Sequence, residues 1–236
     1  MKLKDKILVI GITMCVMFIG LVTVSLTTPE DKQVSKGTEE KQEENSTKKP
    51  SVDADGLDYT LEYNAYPEVN NLIKNYYKAQ TECDMDKLEE LVSDVSYINE
   101  DILKKQVEII ESYDNIDCYT IKGGITGTYV VYVYYEAKLV GIDEKAPGLM
   151  RLYVCQTDNG SLRVFLNSID QDVQKFIDKC AKTDEVVKLV QTVNQKFEEA
   201  IAKSEQLSAY YSKMEEETKA SSPTDEPYED TEAANE

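Results

Sequence analysis

Residues 126–141 read as one long β-strand, dense in tyrosine and valine, with apolar side chains on both faces. Successive strand side chains point to opposite sides of a sheet. Tyr129, Val131, Val133, Tyr135, Ala137 and Leu139 therefore share one face, and Tyr132, Tyr134, Glu136 and Lys138 share the other. The first set suits a core packed against helices. The second is aromatic and amphipathic. A neighbouring strand adds Arg151, Tyr153 and Cys155 opposite Met150, Leu152 and Val154. The second face is too apolar for full exposure, so the sequence predicts a cover for it.

Helical patterns precede this strand. Pro67 suits the first turn of a helix that carries Val69, Leu72, Ile73, Tyr76, Tyr77 and Gln80. Asp84 or Asp86 starts a second helix with Leu88, Leu91 and Val92. Asn99 or Asp101 caps a third, expected to run through Ile102, Leu103, Val107, Ile110 and Tyr113. Strands are expected at 116–122, 126–141, 149–157 and 162–167. Asp158-Asn159-Gly160 makes a hairpin between the last two, because Asn-Gly tolerates positive φ. Helices followed by four antiparallel strands define an α+β fold: a curved sheet with helices on one face.

Two more helical segments follow. Val173, Phe176, Ile177 and Cys180 mark the first, and Thr183 or Asp184 caps the second. Along the second, Val186, Val190, Val193, Phe197, Ala200, Ser204, Leu207, Tyr211 and Met214 alternate at spacings of four and three, a heptad seam interrupted only at Ser204. Packing of this helix on its own domain and pairing with a second chain both fit the pattern.

Outside the folded part, residues 7–26 form an apolar run directly behind Lys2, Lys4 and Lys6. Twenty helical residues span roughly 30 Å, the thickness of a bilayer core. The lysines are expected to stay in the cytoplasm, which makes the chain a single-pass membrane protein with its bulk outside. A cleaved signal peptide and a lipid-modified Cys15 are the alternatives, and they place the bulk of the chain on the same side. Residues 28–58 hold nine acids and five lysines with almost no apolar side chains, so they read as a disordered acidic linker. Residues 215–236 hold nine acids against Lys219 and read as a disordered acidic tail. The expected division is thus anchor 1–27, linker 28–58, globular domain 59–170, C-terminal helices 171–214 and tail 215–236.

Net charge is −19, and residues 1–26 contribute three lysines and one aspartate, so the remainder carries −21. Such a surface repels nucleic acid and anionic headgroups. The chain has no histidine, which excludes Ser-His-Asp and Cys-His nucleophile systems and every histidine metal site. Cys83, Cys118, Cys155 and Cys180 are widely spaced without a C-x-x-C pair, so metal binding is not expected. Two disulfides among these four and four small buried thiols are both consistent with the spacing. Asp53-Ala54-Asp55-Gly56-Leu57-Asp58 lacks the glycine and glutamate positions of a calcium loop. Glu136 and Lys138 on one strand face read as solvated or in a cross-strand ion pair in preference to acid-base machinery.

The stretch Val69-Asn70-Asn71-Leu72-Ile73-Lys74-Asn75-Tyr76-Tyr77-Lys78-Ala79 and then Cys83-Asp84-Met85-Asp86-Lys87-Leu88 resembles the opening of the NTF2-like superfamily, a cone-shaped α+β fold. The resemblance continues through 129–138 and Ala146-Pro147-Gly148-Leu149-Met150-Arg151-Leu152-Tyr153-Val154. It is similar to membrane-anchored extracytoplasmic NTF2-like proteins of Gram-positive anaerobes. The resemblance implies a cone with a pocket or interaction surface among Tyr76, Tyr77, Tyr129, Tyr132, Tyr134, Tyr135 and Tyr153. It supplies no catalytic residue, since the acids and histidines that the superfamily's enzymes carry in the cone have no counterpart here. The expected function is a non-enzymatic binding module of the cell envelope, without a cofactor. Its expected partner is an envelope protein, a cell-wall component or a second copy through the 186–214 helix. A small-molecule-binding protein or an enzyme using the cone is the alternative.

Overall fold

Tyr66 stands at the N-cap of helix α1 (Pro67–Glu82), and Pro67 occupies its first turn. There the missing N–H costs no helical hydrogen bond. The computed structural model describes residues 56–221. Helix α2 (Met85–Leu91) is capped by Asp84, whose carboxylate accepts from Lys87 N. Helix α3 (Glu100–Val107) is capped by Asn99, which accepts from Ile102 N at 3.0 Å. A short 3₁₀ turn, Val95–Tyr97, separates α2 from α3.

The sheet has five antiparallel strands in sequential order, curved and open. They are β1 (Glu62–Tyr63), β2 (Ile110–Lys122), β3 (Thr128–Leu139), β4 (Ala146–Gln156) and β5 (Leu162–Val164). Three expectations differ from this arrangement. The third helix stops at Val107, and Ile110 and Tyr113 belong to β2, where Tyr113 pairs with Ala137. Both keep a helical spacing in sequence yet follow the pleat, because the long β3 offers β2 a partner along most of its length. β1 is an additional strand, too short to show alternation. It pairs Glu62 with Thr120 and Tyr63 with Tyr119. The β4–β5 hairpin closes at Asp158-Asn159-Gly160, but only Gly160 takes a positive φ, +87°. Asn159 instead uses its carboxamide oxygen to accept from Thr157 Oγ1 and Ser161 N.

Strand β5 itself docks on α2. Arg163 Nη1 donates to the carbonyls of Glu89 and Val92 at 2.8 and 2.9 Å, closing the C-terminal end of α2 with a charge of the favourable sign.

The alternation along β3 divides the core in two. Val131, Val133, Tyr135, Ala137 and Leu139 face α1–α3 in an inner cluster with Ile73, Leu88 and Cys118. Val130 and Tyr132 face an outer cluster with Ile121, Phe176, Ile177, Cys180 and Val186. The cover expected on that face is supplied by helix α4 (Gln171–Cys180), the first half of helix α5 (Asp184–Lys203), and the extended segment of Leu57, Tyr59 and Leu61. Thr183 caps α5 by accepting from Val186 N.

The 186–214 stretch is not one helix. Ser204 is extended, φ −126° and ψ 109°, and a separate helix α6 (Glu205–Ser221) follows, running into the stretch expected to be tail. The seam residues Val186, Val193, Ala200 and Leu207 are all buried within the chain. Val186 lies in the outer cluster, whereas Ala200 and Leu207 lie in the inner one. Helix α5 packs chiefly on β4, so it leads the chain from the outer layer to the inner one. Residues 7–26 lie outside the described residues; within the described ones no helix is long and apolar enough to cross a membrane.

Candidate functional site

The seven tyrosines singled out by sequence fall into two groups on opposite faces of the sheet. Tyr76, Tyr77 and Tyr135 are buried on the inner face, and Tyr129 is half-buried there beside Tyr66. Tyr113, expected on a helix, joins them from β2. Tyr77, Tyr113 and Tyr135 form a three-ring cluster with centroid separations of 4.8, 5.5 and 5.1 Å, geometry typical of attractive edge-to-face and tilted contacts. Gln106 Nε2 donates to Tyr113 Oη at 2.8 Å. From the other side α6 adds Leu207, Tyr210 and Tyr211. Burial pushes the Tyr211 phenol well above its ordinary value, with Tyr135 and Tyr210 adding to the effect. The inner face of the sheet, against α1–α3, is thus filled by the chain's own rings.

Tyr132, Tyr134 and Tyr153 lie on the outer face. Tyr132 is buried beneath the C-terminal helices and Tyr153 is half-buried against Phe165, with ring centroids 5.9 Å apart. Burial raises the Tyr132 phenol, opposed by the Arg151 guanidinium. Tyr134, 6% exposed, is also buried and lines the floor of a cleft of about 340 Å3.

This cleft is built by four parts of the chain. The C-terminal half of β3 supplies Tyr134 and Glu136, the β3–β4 connection supplies Asp143, Glu144 and Lys145, β4 supplies Pro147, and α5 supplies Lys196, Glu199, Ala200 and Lys203. Lys196 Nζ sits 4.4 Å from the centre of the Tyr134 ring, a cation–π contact. Tyr134 Oη donates to Glu136 Oε1 at 2.9 Å, and Asn115 Nδ2 donates to Glu136 Oε2 at 2.8 Å. Burial, then this bond to Glu136, raises the Tyr134 phenol. Glu136 and Lys138 turn to different partners. Lys138 Nζ donates to the Ile142 carbonyl at 2.6 Å and lies 3.5 Å from Asp143 Oδ1.

Asn115 reaches Glu136 because β2 carries an irregularity between Asp114 and Asp117, where Asn115 adopts φ +49°. Asparagine tolerates this left-handed geometry better than most residues. The bulge re-aims its neighbours. Lys145 pairs with Asp114 at 3.0 Å, and its hydrogen bond holds the Asp114 carboxyl below its ordinary value. A second, shallower hollow of about 450 Å3, lined by Lys74 and residues 113–117, flanks the same bulge.

Sequence reasoning missed Lys145, Lys196, Lys203 and Asn115. The helix wheel did hold a signal: Lys196, Glu199 and Lys203 follow at helical spacing along one flank of the Val193–Ala200 seam of α5.

No family model matches this chain, and no curated protein or solved structure does.

The four cysteines among the described residues stand as free thiols, with Cys118 buried in the inner cluster and Cys180 in the outer one. Burial pushes both up to about 12, and it raises Cys155 as well. Desolvation of the thiolate is the cause, so both buried thiols resist alkylation. The expected result of iodoacetamide treatment at pH 8 is therefore protection of Cys118 and Cys180 until a denaturant is added, read by mass spectrometry. The same shifts carry a sign for stability. The unfolded chain loses these protons above the ordinary thiol value of 9.0, while the folded chain keeps them. Their contribution is complete below 9.0 and lost as pH rises toward about 12.

Proposed function

We propose that this chain is an NTF2-like, non-enzymatic binding module held outside the cytoplasm by its 7–26 segment. Its 134–203 cleft takes a mixed-charge portion of an envelope protein or a cell-wall component. The observation that carries this reading is the packing of Tyr77, Tyr113, Tyr135 and Tyr211 on the inner face of the sheet, beside a charged cleft that several elements line on the outer side. The α+β architecture, with α1 against a curved antiparallel sheet, is compatible with the NTF2-like resemblance.

The cleft's chemistry suits recognition. Glu136 is held by Asn115 and by the hydroxyl of the buried Tyr134, so it presents a preorganised carboxylate. Acids (Glu136, Asp143, Glu144, Glu199) alternate with Lys145, Lys196 and Lys203, which favours a partner carrying both signs. The rival reading, a small molecule or substrate inside the cone, has the packed tyrosines against it.

A photo-crosslinking amino acid in place of Lys203, in the full chain in its own membrane, tests the assignment. The expected result is a discrete adduct with one envelope component, lost when Lys196→Glu and Lys145→Glu are added. Absence of any adduct from positions 203 and 144 alike overturns it.

A further inference from the structure

Strand β1 is much shorter than its neighbour. It pairs with Tyr119 and Thr120, and Asn64 N donates to the Cys118 carbonyl at 2.7 Å. Asn64 then takes φ +48°, and the chain turns toward α1. β1 is the edge of the sheet, so β2 continues to Ile110 with no strand on that side. A strand edge left open in this way is available to a partner. Beside it lies the hollow of about 450 Å3 lined by Lys74 and residues 113–117.

The acids of this hollow differ. Asp114 is taken by Lys145. Asp117 is half-buried and, among the described residues, forms no ion pair. Its Oδ1 accepts from Tyr63 Oη at 3.0 Å and from Asn64 Nδ2 at 2.8 Å, and its Oδ2 accepts no hydrogen bond from the described residues. A half-buried carboxylate without a counter-charge favours a cation brought from outside.

The ring beside it suits the same cation. Tyr63 is 58% exposed, yet it is fixed at its hydroxyl by Asp117 and on one side by Tyr119, with centroids 5.1 Å apart. The bond to Asp117 raises the Tyr63 phenol, which keeps the ring neutral. A neutral ring with one face in solvent and a carboxylate at its edge attracts an ammonium or guanidinium group. The net charge of −19 draws a basic partner and repels an acidic one. Lys74, which lines the hollow without an ion pair among the described residues, disfavours a bare polyamine and calls for an acceptor such as a peptide carbonyl. A neutral glycan leaves the Asp117 charge uncompensated.

We propose that the β1–β2 edge docks an extended segment of another protein that carries arginine or lysine, its basic side chain lying on Tyr63 and pairing with Asp117. The hollow shares no lining residue with the 134–203 cleft, so this docking stands or falls separately from the proposed function.

The test uses the full chain in neutral detergent micelles, with fluorotyrosine in place of tyrosine, titrated with the blocked peptide acetyl-Gly-Gly-Arg-Gly-Gly-amide. The fluorine NMR signals of Tyr63 and Tyr119 are assigned by their loss in Tyr63→Phe and Tyr119→Phe. The expected result is a saturable shift of both signals that the equivalent citrulline peptide does not give. Asp117→Asn and Tyr63→Leu, read at Tyr119, each weaken binding about fivefold. Asp158→Asn removes an exposed charge from the β4–β5 hairpin and leaves binding unchanged. Absence of a saturable shift overturns the proposal. So do equal shifts from the citrulline peptide or from spermidine, and a loss in Asp158→Asn as large as that in Asp117→Asn, since that reports net charge alone. A shift given by the N-acetylglucosamine trimer and not by the arginine peptide assigns the surface to a glycan and overturns it as well.

Discussion

Replacing Phe176 with alanine lowers the unfolding free energy by about 3–5 kcal/mol, and the variant still unfolds in one cooperative transition. Phe176 is 7% exposed and stacks on Tyr59 with ring centroids 5.1 Å apart. Around it lie Ile121 and Val130 from the sheet and Ile177, Cys180 and Val186 from the C-terminal helices. Removal of the ring leaves a cavity bounded by three separate stretches of chain, which cannot collapse together without shifting the sheet. Were α4 and α5 an appendage, the same substitution would melt them alone and leave the inner core intact. Urea titrations followed by far-ultraviolet circular dichroism and by tyrosine fluorescence separate the two cases. Coincident curves are expected. A loss below about 1 kcal/mol, or two resolved steps, would show that the outer layer is not part of the cooperative unit.

The need for that layer is legible in the amino-acid sequence alone, and the reason is local. Tyr132 and Tyr134 alternate with Val131 and Val133, and a sheet does not leave that much aromatic surface in water. Caps are equally legible, because Asp84, Asn99 and Thr183 act through bonds to residues three positions away. What the sequence conceals depends on distant partners. Ile110 and Tyr113 satisfy a helical spacing, and only the length of β3 decides that they pair as strand. Ser204 breaks α5 from α6 although the seam continues, because Ala200 and Leu207 follow the inner core where Val186 follows the outer. The cleft is hidden for the same reason. Lys145 and Lys196 are far apart in sequence, and the bulge that turns Asn115 toward Glu136 exists only in the register of β2 against β3. The family resemblance implies seven tyrosines as a surface, whereas helical spacing places Tyr113 and Tyr211 on helices without showing that they complete the inner cluster.

Gly148→Ala destabilises the chain by about 3 kcal/mol, a large effect for one methyl group. Gly148 faces Tyr135 directly across the β3–β4 ladder. A Cβ on Gly148 would stand 2.4 Å from Tyr135 Cζ, 2.5 Å from Cε2 and 2.6 Å from Oη, far inside contact distance. The backbone of Gly148 is not in the left-handed region, so alanine is permitted there and removes some freedom from the unfolded chain. The clash must therefore outweigh a small intrinsic gain. Relief is difficult because the ring is held by Tyr77 and Tyr113 at 5.5 and 5.1 Å and lies in the cluster closed by Leu207. Tyr135→Ala alone costs about 3–5 kcal/mol through the cavity it leaves. In the double variant the new methyl meets no ring and partly fills that cavity, so the combined loss falls short of the sum of the single losses by at least about 1–2 kcal/mol. Chemical denaturation of the four proteins closes the cycle. Strict additivity would mean that the ring moves aside at little cost, and that the concave side is soft enough to admit a ligand. A strong coupling means that the tyrosines of this fold are held as packing, as the proposal of binding at the charged cleft requires.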